Sequence, residues 1–218
     1  MKALVAGATG RTGREIVRQL VDRGIAVKAM VRDAEAAKAV LPEGVEIVVG
    51  DVLQVKSLQN AIADCTVLLS ATGAIPSFDP TGPFQVDYVG TKNLVDVAKQ
   101  QGIEQFVMVS SLCVSRLFHP LNLFWLILVW KRQAETYLQN SGLTYTIVRP
   151  GGLKSEDDDR KIVMQGADTL FDGSIPRVKV AQVCVEALSD AEARNKIVEI
   201  VATEAAPQKS LDQLFAAV

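Results

Sequence analysis

One histidine and three scattered cysteines leave this 218-residue chain short of the side chains that hold metals or close disulfides. Cys65, Cys113 and Cys184 are odd in number, far apart and set in apolar runs. Buried thiols in a reducing compartment fit that pattern better than a disulfide framework, and no metal site is expected. Basic tracts are missing too. Lys and Arg total 23 against 25 Asp and Glu, a net charge of −2, which argues against nucleic acid as a partner. No signal or transit segment precedes the first apolar run. The one long apolar stretch, 121–130, has ten residues where a bilayer span needs ~20. The expected location is the cytoplasm, or the plastid stroma if a targeting segment has been removed. Repeats and low-complexity linkers are absent, and 49% hydrophobic with 22% charged residues is the balance of a soluble globular protein.

What is present begins at once. An apolar run, 3–6, leads into Gly7, Gly10 and Gly13, and then into a segment with Ile16, Val17, Leu20 and Val21 at helical spacing. Strand, tight glycine turn and helix start are the geometry that receives a dinucleotide pyrophosphate. The glycines let the backbone turn sharply and approach the phosphates, while the unpaired N–H groups of the first helical turn face the anion.

Beyond this unit, apolar runs at 25–31, 45–49, 67–71, 106–109, 144–148 and 197–201 read as strands. Helical stretches are expected at 11–24, 33–41, 54–63, 82–101, 123–141, 177–190 and 210–217. Continuous apolar strands separated by helices predict an α/β, Rossmann-type, doubly wound parallel sheet of about seven strands. The 218 residues read as one domain, with 151–196 forming a small C-terminal substrate lobe over the cofactor. The run Glu156-Asp-Asp-Asp-Arg-Lys161 reads as a solvated loop.

The end of the second strand should meet the adenosine ribose. A carboxylate there favours NAD; this chain has Arg32, nineteen residues after Gly13. A guanidinium pairs with a 2′-phosphate, an interaction of roughly 1.5–3 kcal/mol, so NADP(H) is the expected cofactor. Arg11 and Lys38 are candidates for further positive charge. Asp33 reads as a helix N-cap, with ribose binding the alternative. Asp51 is placed either at the adenine amino group or as the N-cap of the following helix.

Gly7-Ala-Thr-Gly-Arg-Thr-Gly13, Val31-Arg-Asp33, Gly50-Asp51, Ser70-Ala-Thr-Gly73, Val109-Ser-Ser111 and Arg149-Pro-Gly-Gly-Leu153 together resemble the atypical short-chain dehydrogenase/reductases. The segment from Leu121 to Leu153 is more specifically similar to the group containing the NAD(P)-binding protein of the chloroplast inner-envelope translocon and its cyanobacterial relatives. NmrA-like redox sensors and biliverdin reductase B share the layout. The resemblance implies a cofactor site in which Gly7, Thr9, Gly10, Arg11, Thr12 and Gly13 hold the pyrophosphate and Arg32 the 2′-phosphate. It implies Asp51 and Val52 at adenine, and Ala71, Thr72 and Gly73 at ribose. Ser110 would lie near nicotinamide, Lys131 at its ribose, and Pro150, Gly151, Gly152 and Leu153 across the pocket. Plant translocon members carry Pro/Ser-rich repeats that bind ferredoxin–NADP reductase. These 218 residues contain none, so that route of binding is not implied.

The family's Tyr-x-x-x-Lys pair fails here. Tyr88-Val-Gly-Thr-Lys92 matches literally but precedes the Ser110 strand end, whereas the pair belongs on the helix after it. It reads as a packed helix with Val89, Leu94, Val97 and Ala98 inward. On the later helix Lys131 takes the lysine place, and four residues earlier stands Ile127, which cannot donate a proton. Ser110 and Lys131 are the remaining catalytic candidates, with Ser110 or Ser111 as hydrogen-bond donor. His119 reads as a structural loop residue, with proton donor the alternative.

Residues 121–130, Leu-Asn-Leu-Phe-Trp-Leu-Ile-Leu-Val-Trp, would be apolar on every face of a helix. They read either as a helix buried under the C-terminal lobe or as an adhesive surface for a hydrophobic substrate, a second copy, a protein or a membrane. Trp125 and Trp130 are expected to border the substrate pocket. Two functions stay open: an NADPH-dependent oxidoreductase on a hydrophobic quinone- or flavin-like acceptor, and a non-catalytic NADP(H) redox-sensing module.

Overall fold

Strands with no polar alternation need cover on both faces, and the first strand shows how it is supplied. Ala3 and Val5 face one side of the sheet and Leu4 and Ala6 the other, all fully buried. The structure, a computed structural model, describes residues 1–75 and 78–218.

The first half of the chain runs β1 (Lys2–Ala6), α1 (Arg11–Asp22), β2 (Ala26–Val31), α2 (Ala34–Lys38), β3 (Glu46–Val49), α3 (Val55–Ile62) and β4 (Val67–Ser70). A π-helical stretch, Phe84–Gly90, then leads into α4 (Thr91–Gln100), β5 (Gln105–Val109) and α5 (Ile127–Gln139). The remainder is β6 (Tyr145–Pro150), β7 (Gly152–Lys154), β8 (Lys161–Gly166), β9 (Ser174–Pro176), α6 (Arg177–Glu186), β10 (Lys196–Thr203) and α7 (Leu211–Ala216).

The sheet order is β3-β2-β1-β4-β5-β6-β10-β8, parallel except for β8, which runs antiparallel to β10. This is the α/β Rossmann-type fold expected. Helices α1 and α6 cover one face and α3, α4 and α5 the other. Chain order reverses beside β1, between β1 and β4, which opens a crevice at the carboxyl ends of the strands. A separate ribbon of β7 and β9 stands beyond that edge.

Three expectations need correction. The sheet has eight strands where about seven were expected, because β8 lies in the stretch 151–196 read only as a C-terminal lobe. It is an edge strand with only Met164 buried, so it carries no continuous apolar run. Helix 82–101 is interrupted by the π-helical stretch, which turns Asp87 inward at 2% exposure. Residues 121–130 are not one helix. A 3-10 turn over Pro120–Leu123 is followed by Trp125 and Leu126 at φ +53° and +58°, and α5 starts only at Ile127. Left-handed residues end helical phase, so Leu121, Leu123, Phe124, Trp125 and Leu126 are exposed while Leu128 is buried. The three thiols are buried and unbridged, and burial pushes Cys184 up to about 12.

Candidate functional site

Because the strands are parallel, the residues following β1, β2, β3, β4, β5 and β6 all emerge at one edge. Glycines shape the first of these turns. Gly7 has φ +77°, and a Cβ on it would lie 2.7 Å from the Ala71 carbonyl oxygen; a Cβ on Gly13 would lie 2.1 Å from the Gly7 oxygen. The turn therefore closes only without side chains at these positions. Gly10 caps α1 without any side-chain hydrogen bond, leaving the N–H groups of the first turn for an anion. Arg11 and Thr9 are exposed beside it and Thr12 is buried. A glycine cradle against an uncapped helix start fits a dinucleotide pyrophosphate.

Arg32 follows β2, is exposed, and has no carboxylate partner among the described residues. Asp33 is committed elsewhere: its carboxylate accepts from the Glu35 and Ala36 N–H groups, each 3.0 Å, as the N-cap of α2. Lys38 is tied to Glu35 at 2.7 Å, so it adds little net charge. Asp51 is not the N-cap of α3, whose cap position is Gln54. It accepts from the Leu53 N–H at 2.9 Å in a local turn, while its own N–H donates to Ser57 Oγ at 3.0 Å and that hydroxyl donates to Gln54 O at 2.7 Å. Val52 is buried against Gly90, where a Cβ would stand 2.6 Å from Val52 Cγ2.

At the inner end, Ala71, Thr72 and Gly73 follow β4. Lys131 Nζ lies 2.8 Å from Asp87 Oδ1, and Asp87 Oδ2 accepts from the Ala74 N–H at 3.1 Å. A Cβ on Gly73 would stand 3.6 Å from Asp87 Oδ1 and 3.8 Å from Lys131 Nζ, so this pair lies directly beneath the glycine. Asp87 escaped the sequence reading because it sits beside the decoy Tyr88. Tyr88 itself packs with Phe84 and Trp130, and Lys92 pairs with Asp96 at 2.8 Å, so the literal Tyr-x-x-x-Lys match serves packing. Ile127 packs in the small cluster of Leu112, Cys113, Val114, Leu128 and Val201, and no phenol replaces it. His119 Nδ1 accepts from the Leu121 N–H at 3.2 Å, a structural cap on the 3-10 turn.

Ser110, after β5, is 6% exposed. Its hydroxyl donates to the buried Glu135, and the neighbouring Ser111 is half-buried. Glu135 is gripped by Arg149, whose far side meets Glu199 and Asp168. Burial opposes the charge of Arg149, but hydrogen bonds to Glu135 and Glu199 more than offset this and hold its pKa above the ordinary value.

Pro150 ends β6; Gly151 and Gly152 press on the ribbon, with a Gly151 Cβ only 2.6 Å from Gly173 O and Gly152 N–H donating to that oxygen at 2.9 Å. Leu153 is exposed on β7. Arg177 at the start of α6 donates to Leu153 O at 3.2 Å and is buried without a carboxylate partner among the described residues. Burial and the neighbouring Arg11 both hold its pKa down. Nothing in the sequence spacing links Arg177 to Arg11; the packing of α1 on α6 does.

Residues 7–191 match a family described as NAD(P)H-binding. The chain is 48% identical over its whole length to a chloroplast protein of Arabidopsis thaliana, covering 82% of that protein. It is 36% identical to the TIC 62 protein of Pisum sativum chloroplasts, over 97% of this chain and 45% of that one. Sanguinarine reductase of Eschscholzia californica is 33% identical, over 92% and 88%. Among solved structures, a Bacillus halodurans protein ascribed to the NAD-dependent epimerase/dehydratases superposes with a TM-score of 0.89 at 28% identity, covering both chains fully.

Proposed function

The chain belongs to the NAD(P)H-binding family, and from that premise we propose that it is an NADPH-dependent oxidoreductase acting on a hydrophobic quinone- or flavin-like acceptor. One observation carries the reading: Lys131 pairs with Asp87 beneath Gly73, while the position four residues earlier is an apolar, packed Ile127. A site with its lysine and without its acid suits acceptors whose reduced form solvent can protonate. When bound, NADPH supplies the hydride. Arg32 holds the 2′-phosphate, and Gly7 to Gly13, Arg11 and Arg177 receive the pyrophosphate. Asp51 and Val52 face adenine. Lys131, oriented by Asp87, holds the nicotinamide ribose, and the lobe at 151–196 keeps water from the reacting face. The exposed residues of 121–126 and the Phe84–Tyr88–Trp130 cluster supply apolar surface for the acceptor. Sanguinarine reductase, by its name a reductase, supports reductase chemistry. Relatives named as chloroplastic support a plastid stroma or an equivalent reducing compartment. Among the described residues no helix is long and apolar enough to cross a membrane.

A second reading, a non-catalytic NADP(H) redox sensor, is favoured by the exposure of Leu117, Phe118, Leu121, Leu123 and Phe124, a surface suited to a protein partner or a membrane face. Oxidation of NADPH followed by absorbance against a panel of quinones and flavins separates the two. Saturable turnover suppressed by Arg32→Asp is expected. Tight binding without turnover across the panel would leave the sensor.

A further inference from the structure

Loop 116–128, between β5 and α5, is polar inside and apolar outside. At its centre Asn122 is buried. Its amide group donates to Leu117 O at 2.8 Å and Arg116 O at 3.3 Å, and its oxygen accepts from the Leu128 N–H at 3.0 Å. His119 Nδ1 holds the Leu121 N–H, and the Trp130 indole N–H donates to Trp125 O at 3.2 Å. On the outside, Phe118 at 98% and Leu123 at 85% exposure project with almost no protein around them, flanked by the exposed Leu117, Phe124 and Leu126. Trp125 and Leu126 keep left-handed backbone within this arrangement, a conformation costly for residues bearing a Cβ. The fold thus holds this apolar surface in the open.

The charge carried by this stretch has one sign. Between Glu104 and Glu135 the chain has no carboxylate but does have Arg116, Lys131 and Arg132. Lys131 is taken by Asp87, which leaves the exposed Arg116 and Arg132 on either side of the apolar residues. The Arg116 guanidinium stacks over the Phe171 ring at 3.8 Å. Asp172, the acidic neighbour on that facing segment, accepts from the Gly173 N–H at 2.7 Å. In a chain of net charge −2, this is a local reversal of sign.

We infer that loop 116–128 docks the protein on an anionic lipid surface, with Phe118 and Leu123 among the acyl chains and Arg116 and Arg132 at the headgroup phosphates. Side chains that project without pocket walls suit a fluid surface, which needs no shaped complement. A second copy fits less well, because a two-fold contact would set the same arginines against one another. The contact is peripheral: among the described residues no helix is long and apolar enough to cross a bilayer. The inference assigns to a membrane the apolar surface that the sensor reading shares with a protein partner, and it is independent of turnover.

Trp125 and Trp130 are the chain's two tryptophans, so its own fluorescence reports on this loop. The native chain is titrated with vesicles of phosphatidylcholine alone and of an equal mixture with phosphatidylglycerol, at low and high salt, with co-sedimentation in parallel. The mixed vesicles are expected to bind, with tryptophan emission shifted to the blue and affinity falling with salt. Phosphatidylcholine alone should bind roughly tenfold more weakly. Leu117→Ser with Phe118→Ser should weaken binding to the mixed vesicles by roughly tenfold or more, and Arg132→Glu by roughly fivefold, each with the native Tm. No binding to either vesicle, equal binding to both, an unshifted emission, or variants that bind like the native chain would each overturn the inference. So would a native chain that self-associates and becomes monomeric on Leu117→Ser with Phe118→Ser, since a second copy would then own the surface. NADPH oxidation without vesicle binding overturns this inference alone; vesicle binding without oxidation retains it and removes the oxidoreductase.

Discussion

At the amino edge of the sheet Lys2 bridges Glu46 and Asp64 at 2.6 and 2.5 Å, and the buried Lys28 pairs with the same two carboxylates. At the carboxyl edge Arg11, Arg32 and Arg177 meet no carboxylate among the described residues. One edge closes its electrostatics within the chain. The other leaves guanidinium groups around a glycine cradle and an uncapped helix, where burial and the neighbouring Arg11 hold the Arg177 pKa down. Like charges left together in a folded protein are costly unless an anion joins them. The contrast therefore locates the ligand edge independently of any motif.

Four predictions bear on this contrast. The largest concerns the buried ion group around Arg149 at the ligand edge. Arg149→Met removes the cation between Glu135 and Glu199 and leaves both buried, with an expected loss of about 3–5 kcal/mol in stability by urea denaturation; a loss below 1 kcal/mol would show that this network is not what steadies the edge. Next, Gly13→Ala forces a Cβ against the Gly7 carbonyl and should cost about 1–3 kcal/mol through overpacking, together with NADPH binding measured by fluorescence. Retained binding would mean that the turn is not the phosphate cradle. Lys131→Met is expected to lower kcat/KM by roughly ten- to a hundredfold, the worth of a charged hydrogen bond, while leaving the preference for NADPH over NADH intact. A changed cofactor preference would place Lys131 at the wrong end of the cofactor.

The smallest effect belongs to the amino edge. The hydrogen bonds from Lys2 hold the Glu46 and Asp64 carboxyls below their ordinary range. A folded-state pKa below the unfolded one contributes stability that is complete above about pH 4 and is lost as pH falls through the depressed value. The double change Glu46→Gln, Asp64→Asn should lower Tm slightly at neutral pH, and the difference should vanish in acid. A Tm difference that persists in acid would mean that packing, not charge, joins these residues.

Much of this was legible in the sequence because it is local. The strand–glycine–helix unit, Arg32, the N-cap of Asp33 and the misplaced Tyr88–Lys92 match all depend on residues within a turn or two of one another. Strand β8 was missed because an edge strand carries too few buried residues to make an apolar run. The segment 121–130 misled because composition cannot show that Trp125 and Leu126 adopt left-handed backbone. Asp51 precedes the helix as a cap would, but its carboxylate turns back to the Leu53 N–H and the cap position falls to Gln54. Asp87, Glu135, Arg149 and Arg177 gain their meaning across 14 to 44 residues or more of chain, from helix packing that no spacing records.

The central claim, an NADPH site at the carboxyl edge, is tested most directly by titrating NADPH and NADH into the native chain and into Arg32→Asp. The account predicts that the native chain prefers NADPH and that Arg32→Asp weakens NADPH by about ten- to a hundredfold while barely affecting NADH. Equal losses for the two cofactors would contradict it.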